Sequence, residues 1–563
     1  MDSLKSEIRA AISSTLYEAA AASRVALGFP KNAEIPVYAV NSPREEQFGD
    51  FSTNIAMLMA KLARRPPRDV AATIRERIDL NRCSWVQKVE IAGPGFLNFF
   101  LNTGWLYEAL QRVVGQGEGY GRVRIGGGRK VNVEFVSANP TGLLHMGNAR
   151  GAALGDGIAA LLNFCGFEVT REFYINDSGH QIERFAASLE ARYLQVFGED
   201  APVPEDGYHG ADLITTVRRF IAETADAYRK VPAPKRRDAL AHFAIADKIG
   251  AIRESLGSFG VNYDVWFSEQ ALHREGAVEK VIRELAGRGA TYENEGALWF
   301  RAKDYGADKD EVLVRSNGVA TYFAADIAYH VNKLDRGFAW LINVWGADHH
   351  GHVPRVKAAL KALGHDPDCL QVVIMQLVRL LSGGEVVRMS KRTGEYVSLD
   401  ELLEEVGRDA ARYFFVLRSS DSHLDFDLDL AKSQSMENPV YYVQYAHARI
   451  SSLYRQLAVK GRELPQFSNV KLDVLSTEEE KRLIKKLADF PEEVADAALD
   501  LAPHRLTGYI YEVAGLFHAF YNVHRVIDAG AGLEEARLAL VQATGIVLRQ
   551  GLGLLGISAP EKM

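Results

Sequence analysis

The stretch Val131–Asp156, VNVEFVSANPTGLLHMGNARGAALGD, holds the side chains in this sequence best suited to chemistry. It opens as a short apolar strand, VNVEFV, and breaks at Asn139-Pro140-Thr141-Gly142. His145 stands just before Gly147 and Asn148, where an Ala/Leu/Ile-rich helix begins. A strand, a Gly/Pro loop and a helix N-terminus together make an anion site, because unpaired backbone N–H groups and the positive helix end face one point. The imidazole of His145 and the amide of Asn148 add donors there. Such a site would grip the phosphates of a nucleoside triphosphate.

Two further segments carry convergent polar groups. Gly346-Ala347-Asp348-His349-His350-Gly351-His352 follows the apolar run FAWLINVW, at the strand end where open α/β sheets bind ligands. His349 and His352 have the chemistry of zinc ligands, but no third protein ligand accompanies them, so a metal site is not expected. Arg388-Met389-Ser390-Lys391-Arg392-Thr393-Gly394 places three cations in one short loop. DFDLDL (Asp425–Leu430) starts like a calcium loop, yet has Leu430 where glycine is required and Met436 where a glutamate is required. GQGEGYG (Gly115–Gly121) follows a helical pattern rather than a strand, so it reads as a helix stop and linker, not a dinucleotide fingerprint.

The elements that must position these groups fall into three parts. Residues 1 to about 115 read as an α/β module: a helical opening, an extended IPVYAV, a helix in FSTNIAMLMAKLARR, and strands at WVQKVEI and FLNFFL. From about 128 to 435 strands and helices alternate, which predicts a parallel sheet wound with helices. EVTREFYI reads as a strand, followed by a helix that Asn176 or Asp177 would cap. Residues 180 to about 310 are mostly helical and charged, and read as an insertion ending in strands near ALWF and EVLVRS. From 436 to 563 the pattern is almost all helix, a bundle: NPVYYVQYAHARISSLYRQLAV, then TEEEKRLIKKLADFPEEVADAAL, then three or more apolar helices. Tyr441, Tyr442 and Tyr445, with His447 and Arg449, form an aromatic and basic stripe that could stack on bases or pack into that bundle.

Bulk properties set outer limits. A chain of 563 residues is too long for one core. It is 47% hydrophobic and 25% charged, ordinary for a globular protein. Cys83, Cys165 and Cys369 lie far apart, which argues against a disulfide framework and fits a reducing cytoplasm. No run approaches a membrane span, and the N-terminus, acidic early and without an apolar core, does not read as a secretory signal. The net charge of −7 would not by itself indicate RNA. Phosphate contacts would need local cations, such as Lys61, Arg64, Arg65 and Arg68, or the run Arg229, Lys230, Lys235, Arg236 and Arg237; either run is as readily a solvated face.

The motifs resemble one family. His145-Met146-Gly147-Asn148 resembles the His-x-Gly-His element of class I aminoacyl-tRNA synthetases, with Asn148 in place of the second histidine. RMSKRTG resembles their Lys-Met-Ser-Lys-Ser loop, with Arg388 and Arg392 at its first and last positions. EFVSANPTG, GDFSTN (Gly49–Asn54), GPGFLNFF (Gly93–Phe100) and NPVYYVQYAHARI resemble arginyl-tRNA synthetases in particular, of the bacterial type.

The resemblance implies a Rossmann-like catalytic domain between an N-terminal domain touching the tRNA elbow and a helical anticodon-binding domain. It implies ATP with Mg²⁺, L-arginine and tRNA(Arg) as partners, and a monomer. His145, Asn148 and Lys391 would be catalytic. Gly147, Gly346, Asp348, His349, His352, Arg388, Met389, Ser390 and Lys391 would hold ATP. Glu134, Asn139, His145, Tyr322 and Asp326 fall at the family's arginine-contacting spacings, and Tyr441, Tyr445 and Arg449 would meet tRNA. A guanidinium is planar and permanently charged, so carboxylates such as Glu134 and Asp326 suit it. Tyr322 and Asp326, four apart, would face one way on a helix. The family generally activates its amino acid only with tRNA present. Another synthetase or a nucleotidyltransferase of the class, and a non-catalytic RNA-binding paralogue, are the alternatives; His145 and Lys391 are both present, which speaks against the last.

Overall fold

The computed structural model describes residues 3–30, 33–43, 45–387, 397–467 and 470–563. The catalytic part is built on a five-stranded, all-parallel sheet. Its spatial order is Leu370–Met375, Trp340–Gly346, Lys130–Glu134, Glu168–Ile175 and Val265–Ser268. Val131, Val133, Leu341, Ile342 and Phe173 are buried, as expected of strands covered on both faces. The chain runs outward from Lys130–Glu134 in one direction, then returns to lay Trp340–Gly346 on its other side. Those two neighbours therefore flank the switch point of the sheet, where a crevice opens at the strand ends.

The helix Met146–Phe164 starts above that crevice and lies close on the sheet. Gly155 permits the approach: a Cβ there would stand 2.1 Å from the Phe135 ring. Arg150, on the same helix and 1% exposed, donates to the carbonyls of Gln376, Ser419 and Ser422 at 2.7, 2.9 and 3.0 Å. Burial pushes its pKa down to about 10. Further along, Asp156 accepts from Arg412 at 2.6 Å, and Arg412 also donates to the Leu555 carbonyl at 2.8 Å. One buried guanidinium thus ties the catalytic helix to the C-terminal bundle.

The expected insertion over 180–310 is not continuous. Helices His180–Val196, Ala211–Thr224 and Ala233–Ser258 form a unit with their own small core around Phe185, Tyr193 and Phe220. Val265–Ser268 then rejoins the main sheet beside Glu168–Ile175, a strand too short to show periodicity. Thr291–Asn294, Ala297–Phe300 and Glu311–Val314 form a separate antiparallel sheet. Neither Asn176 nor Asp177 caps the helix at His180. Gly179 holds that position at φ 79°, while Asp177 accepts from Ser268 and from the Gln270 N–H, serving the next segment instead.

The N-terminal part has a helix at Leu4–Ser23 and an antiparallel sheet ordered Val40–Asn41, Phe51–Thr53, Phe96–Leu101, Val86–Ala92. Only the end of IPVYAV is a strand. The C-terminal bundle comprises Pro439–Val459, Glu478–Leu499, His504–Val523 and Leu533–Leu554. After its second helix two more follow among the described residues, where the apolar pattern had indicated three or more. The two ends of the chain pack together: Arg9 forks onto Glu492 at 3.0 and 2.9 Å, and Lys485 meets Asp50 at 3.0 Å.

Candidate active site

Over the switch point lies a cavity of about 770 Å³. His145, Gly147, Asn148, Gly346, Asp348 and His349 all line it, joining two segments far apart in sequence. Met375, Leu377, Val378 and Val386 supply apolar walls suited to a flat base, and no sequence motif had marked them. His145 is the N-cap of its helix. Its Nδ1 accepts from the Gly147 N–H at 3.1 Å, which places the proton of the neutral ring on Nε2. The ring borders the cavity, and surrounding protein lowers its pKa by desolvation, favouring that neutral form. Asn148 closes a capping box by accepting from the His145 N–H at 3.0 Å. Its Oδ1 therefore faces the backbone, and its NH₂ is the group that could donate to an anion.

Arg388, Met389, Ser390 and Lys391 lie outside the described residues. The chain enters that segment from Val386 and Val387 and leaves it through Val397, and all three line the cavity. Leu399 N donates to the Leu144 carbonyl at 2.8 Å, so the exit is joined to the His145 segment.

A second group of side chains lies beside the first. Glu134 is buried at the end of its strand, 6% exposed, rather than solvent-facing. Lys333 donates to its Oε2 at 2.6 Å and Ser137 to its Oε1 at 3.0 Å. Val136 and Ser137, which follow, have φ of 67° and 41°, unfavourable for non-glycine residues. Such strain marks a loop whose shape is imposed by its surroundings. Tyr322 and Asp326 lie on the helix Tyr322–Asp335, capped by Thr321. Asp326 Oδ2 accepts from His352 Nε2 at 2.6 Å. His352, expected with the nucleotide groups, thus bonds to the carboxylate side. Tyr322 is half exposed and reaches toward Gly179; burial, then Glu269, raises its pKa. Asn139 is exposed on the loop before His145.

Glu269 was missed by sequence reasoning. It is 3% exposed and accepts from Tyr174 at 2.7 Å and Ser178 at 2.5 Å. Burial raises its pKa, and Asp326 adds to the effect. Burial, then Glu269, Asp326 and Glu134, raise the Tyr174 pKa, and the Tyr174 N–H donates at 3.1 Å to the same Ser137 hydroxyl that bonds Glu134, so Tyr174 and Ser137 link Glu269 to Glu134. Nothing in FSEQALH distinguishes Glu269 from a surface helix start. Among the described residues, no group of three His, Cys, Asp or Glu side chains is placed to hold a metal ion.

On the bundle, Tyr441 and Tyr445 stack with centroids 6.2 Å apart and planes 7° apart. Arg449 sits 5.8 Å from the Tyr445 ring and 4.2 Å from Tyr521. Tyr442 packs on Tyr511 and His518, Tyr445 also stacks on His518, and His447 is buried against the Pro560 carbonyl. Of the two basic runs, Arg236 and Arg237 are both engaged by Glu190. Lys61, Arg64, Arg65 and Arg68 are exposed.

Comparison with known proteins covers the whole chain. Residues 2–101 match the arginyl tRNA synthetase N terminal domain, 109–427 the catalytic domain of class I (R) tRNA synthetases, and 443–563 the DALR anticodon binding domain. The chain is 62% identical to an arginine–tRNA ligase of Desulforudis audaxviator over the full length of both, and 55% identical to that of Desulforamulus reducens, again over both full lengths. The Thermus thermophilus arginyl-tRNA synthetase structure superposes with a TM-score of 0.74 at 27% identity, covering 97% of this chain and 99% of that one. With its catalytic segment and both flanking domains matched in order, the chain belongs to the arginyl-tRNA synthetase family.

Proposed function

We propose that the two groups of side chains divide between them the work of an arginine–tRNA ligase. In that reaction L-arginine and ATP give arginyl-adenylate and pyrophosphate, and the arginyl group passes to the 3′ end of tRNA(Arg). The arginine carboxylate attacks the α-phosphorus as the α–β phosphate bond breaks, so no covalent enzyme intermediate is needed. Catalysis is then positioning plus stabilisation of developing charge. ATP, with Mg²⁺ as part of that substrate, occupies the cavity lined by Gly147, Gly346, Asp348 and His349. His145 donates through Nε2, Asn148 through its amide. Arg388, Met389, Ser390 and Lys391 act at the phosphates, with Lys391 meeting the charge that grows on departing pyrophosphate.

Arginine takes the neighbouring space. Glu134 and Asp326 receive the cationic groups, Tyr322 offers a ring and hydroxyl, and Asn139 and His145 complete the contacts. To these we add Glu269 as a third carboxylate and His352 as the partner that orients Asp326. The observation that carries this reading is the hydrogen-bonded line from Glu134 through Ser137 and Tyr174 to Glu269, with Asp326 held by His352, beside a cavity lined by Val136 and by the helix N-terminus at His145. Clustered carboxylates with few cations select a strongly cationic substrate. Tyr441, Tyr445 and Arg449 stack on and pair with anticodon nucleotides, and Lys61, Arg64, Arg65 and Arg68 contact phosphates nearer the elbow. A cytoplasmic monomer is the expected state.

The test is charging of purified tRNA with each of the twenty amino acids. Arginine alone should be attached; attachment of another amino acid, or none, overturns the assignment. The same preparation without tRNA should show little arginine-dependent ATP–pyrophosphate exchange.

A further inference from the structure

Lys333 has no exposure to solvent, an expensive position for a flexible cation. It reaches inward from the Tyr322–Asp335 helix to the junction of two central strands, where Glu134 and Asn343 are register partners. Its Nζ donates to Glu134 Oε2 at 2.6 Å and to Asn343 Oδ1 at 3.1 Å, and lies 4.4 Å from the Tyr329 ring. The Asn343 amide then donates to His330 Nε2 at 2.9 Å, and His330 Nδ1 donates to the Asp326 carbonyl at 2.7 Å. One hydrogen-bonded line therefore joins the two carboxylate residues read as arginine contacts. Burial, assisted by the charge of Lys333, pushes the His330 pKa down to about 4, so its ring stays neutral and its tautomer fixed. Glu172, the other acid nearby, is already forked by Arg336 at 2.7 and 2.8 Å and bonded by Tyr329 at 2.7 Å.

We propose that Lys333 is a positioning residue for arginine: a cation sealed beneath the pocket that pairs with the Glu134 carboxylate and keeps it aimed at the substrate. The inference rests on Glu134 facing arginine. Lys333 occupies one oxygen from below and Ser137 fixes the other, so the carboxylate cannot swing away. Lys333 acts through Glu134 and touches no substrate.

The experiment measures arginine and ATP kinetics, in tRNA charging, for the full chain carrying Lys333→Met, Glu134→Gln, or both. Lys333→Met should raise the arginine KM on the order of tenfold while leaving the ATP KM close to parental. A merely structural role would lower thermal stability without that selectivity. Because Lys333 works only through Glu134, the double variant should match Glu134→Gln alone. That comparison also serves if Lys333→Met by itself does not fold, since the double variant removes both buried charges together. A parental arginine KM in Glu134→Gln overturns the reading of Glu134, and with it this proposal. A raised KM in Glu134→Gln, with a parental KM in Lys333→Met or an additional loss in the double variant, overturns the proposal alone.

Discussion

His145, Gly147 and Asn148 are neighbours in the chain, and two of the hydrogen bonds that shape them are made among themselves: Gly147 N to His145 Nδ1, His145 N to Asn148 Oδ1. Glu134, Asp326 and Glu269 come from three separate segments, and each is held by a residue remote from it or on another element: Lys333, His352 and Tyr174. The phosphate end of the nucleotide side is a local structure that the helix N-terminus builds, with Gly346, Asp348 and His349 closing the cavity from a second segment. The carboxylate side exists only once the sheet, the Tyr322 helix and the Gly346–His352 turn have come together. On the proposed reading, specificity for a cationic side chain depends on tertiary packing, whereas phosphate binding depends largely on a cap. Variants on the two sides should fail differently.

The largest effect is expected at Asp326. Asp326→Asn keeps the shape and removes a charge that faces His352 and, on the proposed reading, the guanidinium. Breaking an enclosed charge pair costs about 3–5 kcal/mol, so kcat/KM for arginine should fall by two or more orders of magnitude, with ATP affinity little changed. Steady-state charging at varied arginine and at varied ATP checks this. An equal loss in both substrates would mean that the two sides are one structural unit, and the comparison would not stand.

This contrast explains what was legible in the sequence. The His145 element and the Gly346–His352 turn could be read because each is short and sits at a helix start or a strand end, whereas Tyr322 and Asp326 were marked by the family's spacing and the helix period only added that they share a face. The parallel sheet was legible from alternation, but not the strand Val265–Ser268, whose four residues carry no period and which pairs only because Glu168–Ile175 leaves an edge open. Glu269 and Lys333 were invisible. A glutamate at a helix start and a lysine near a helix end are what solvated helices carry, and only the fold turns those two inward. The capping role given to Asn176 or Asp177 failed for a related reason: Asp177 found partners in Ser268 and Gln270, across the sheet edge.

The next effect lies on the nucleotide side. If His145 donates as proposed to charge that develops in the transition state, His145→Ala loses about 3 kcal/mol, on the order of a hundredfold in rate. Arginine-dependent ATP–pyrophosphate exchange in the presence of tRNA should slow by that factor while the arginine KM stays near parental. Exchange at the parental rate would show that the ring serves only to cap the helix. A raised arginine KM instead would place His145 on the carboxylate side of the site.

The smallest effect separates capping from catalysis at Asn148. Its Oδ1 is spent on the His145 N–H, so Asn148→Ala loses a cap acceptor as well as any donor to phosphate. Loss of a cap costs about 1 kcal/mol, and a slightly mispositioned His145 should slow exchange by roughly fivefold. Asn148→Asp keeps the acceptor, and a negative charge near a helix N-terminus favours the helix itself, yet it would oppose an incoming triphosphate. If the position works mainly as a cap, Asn148→Asp should retain thermal stability but raise the ATP KM, and Asn148→Ala should lose a little of both. If the amide donates directly in the transition state, Asn148→Ala should instead approach the loss seen for His145→Ala. The locally built side of the site would then rest on two side-chain donors rather than on one donor and the cap that aims it.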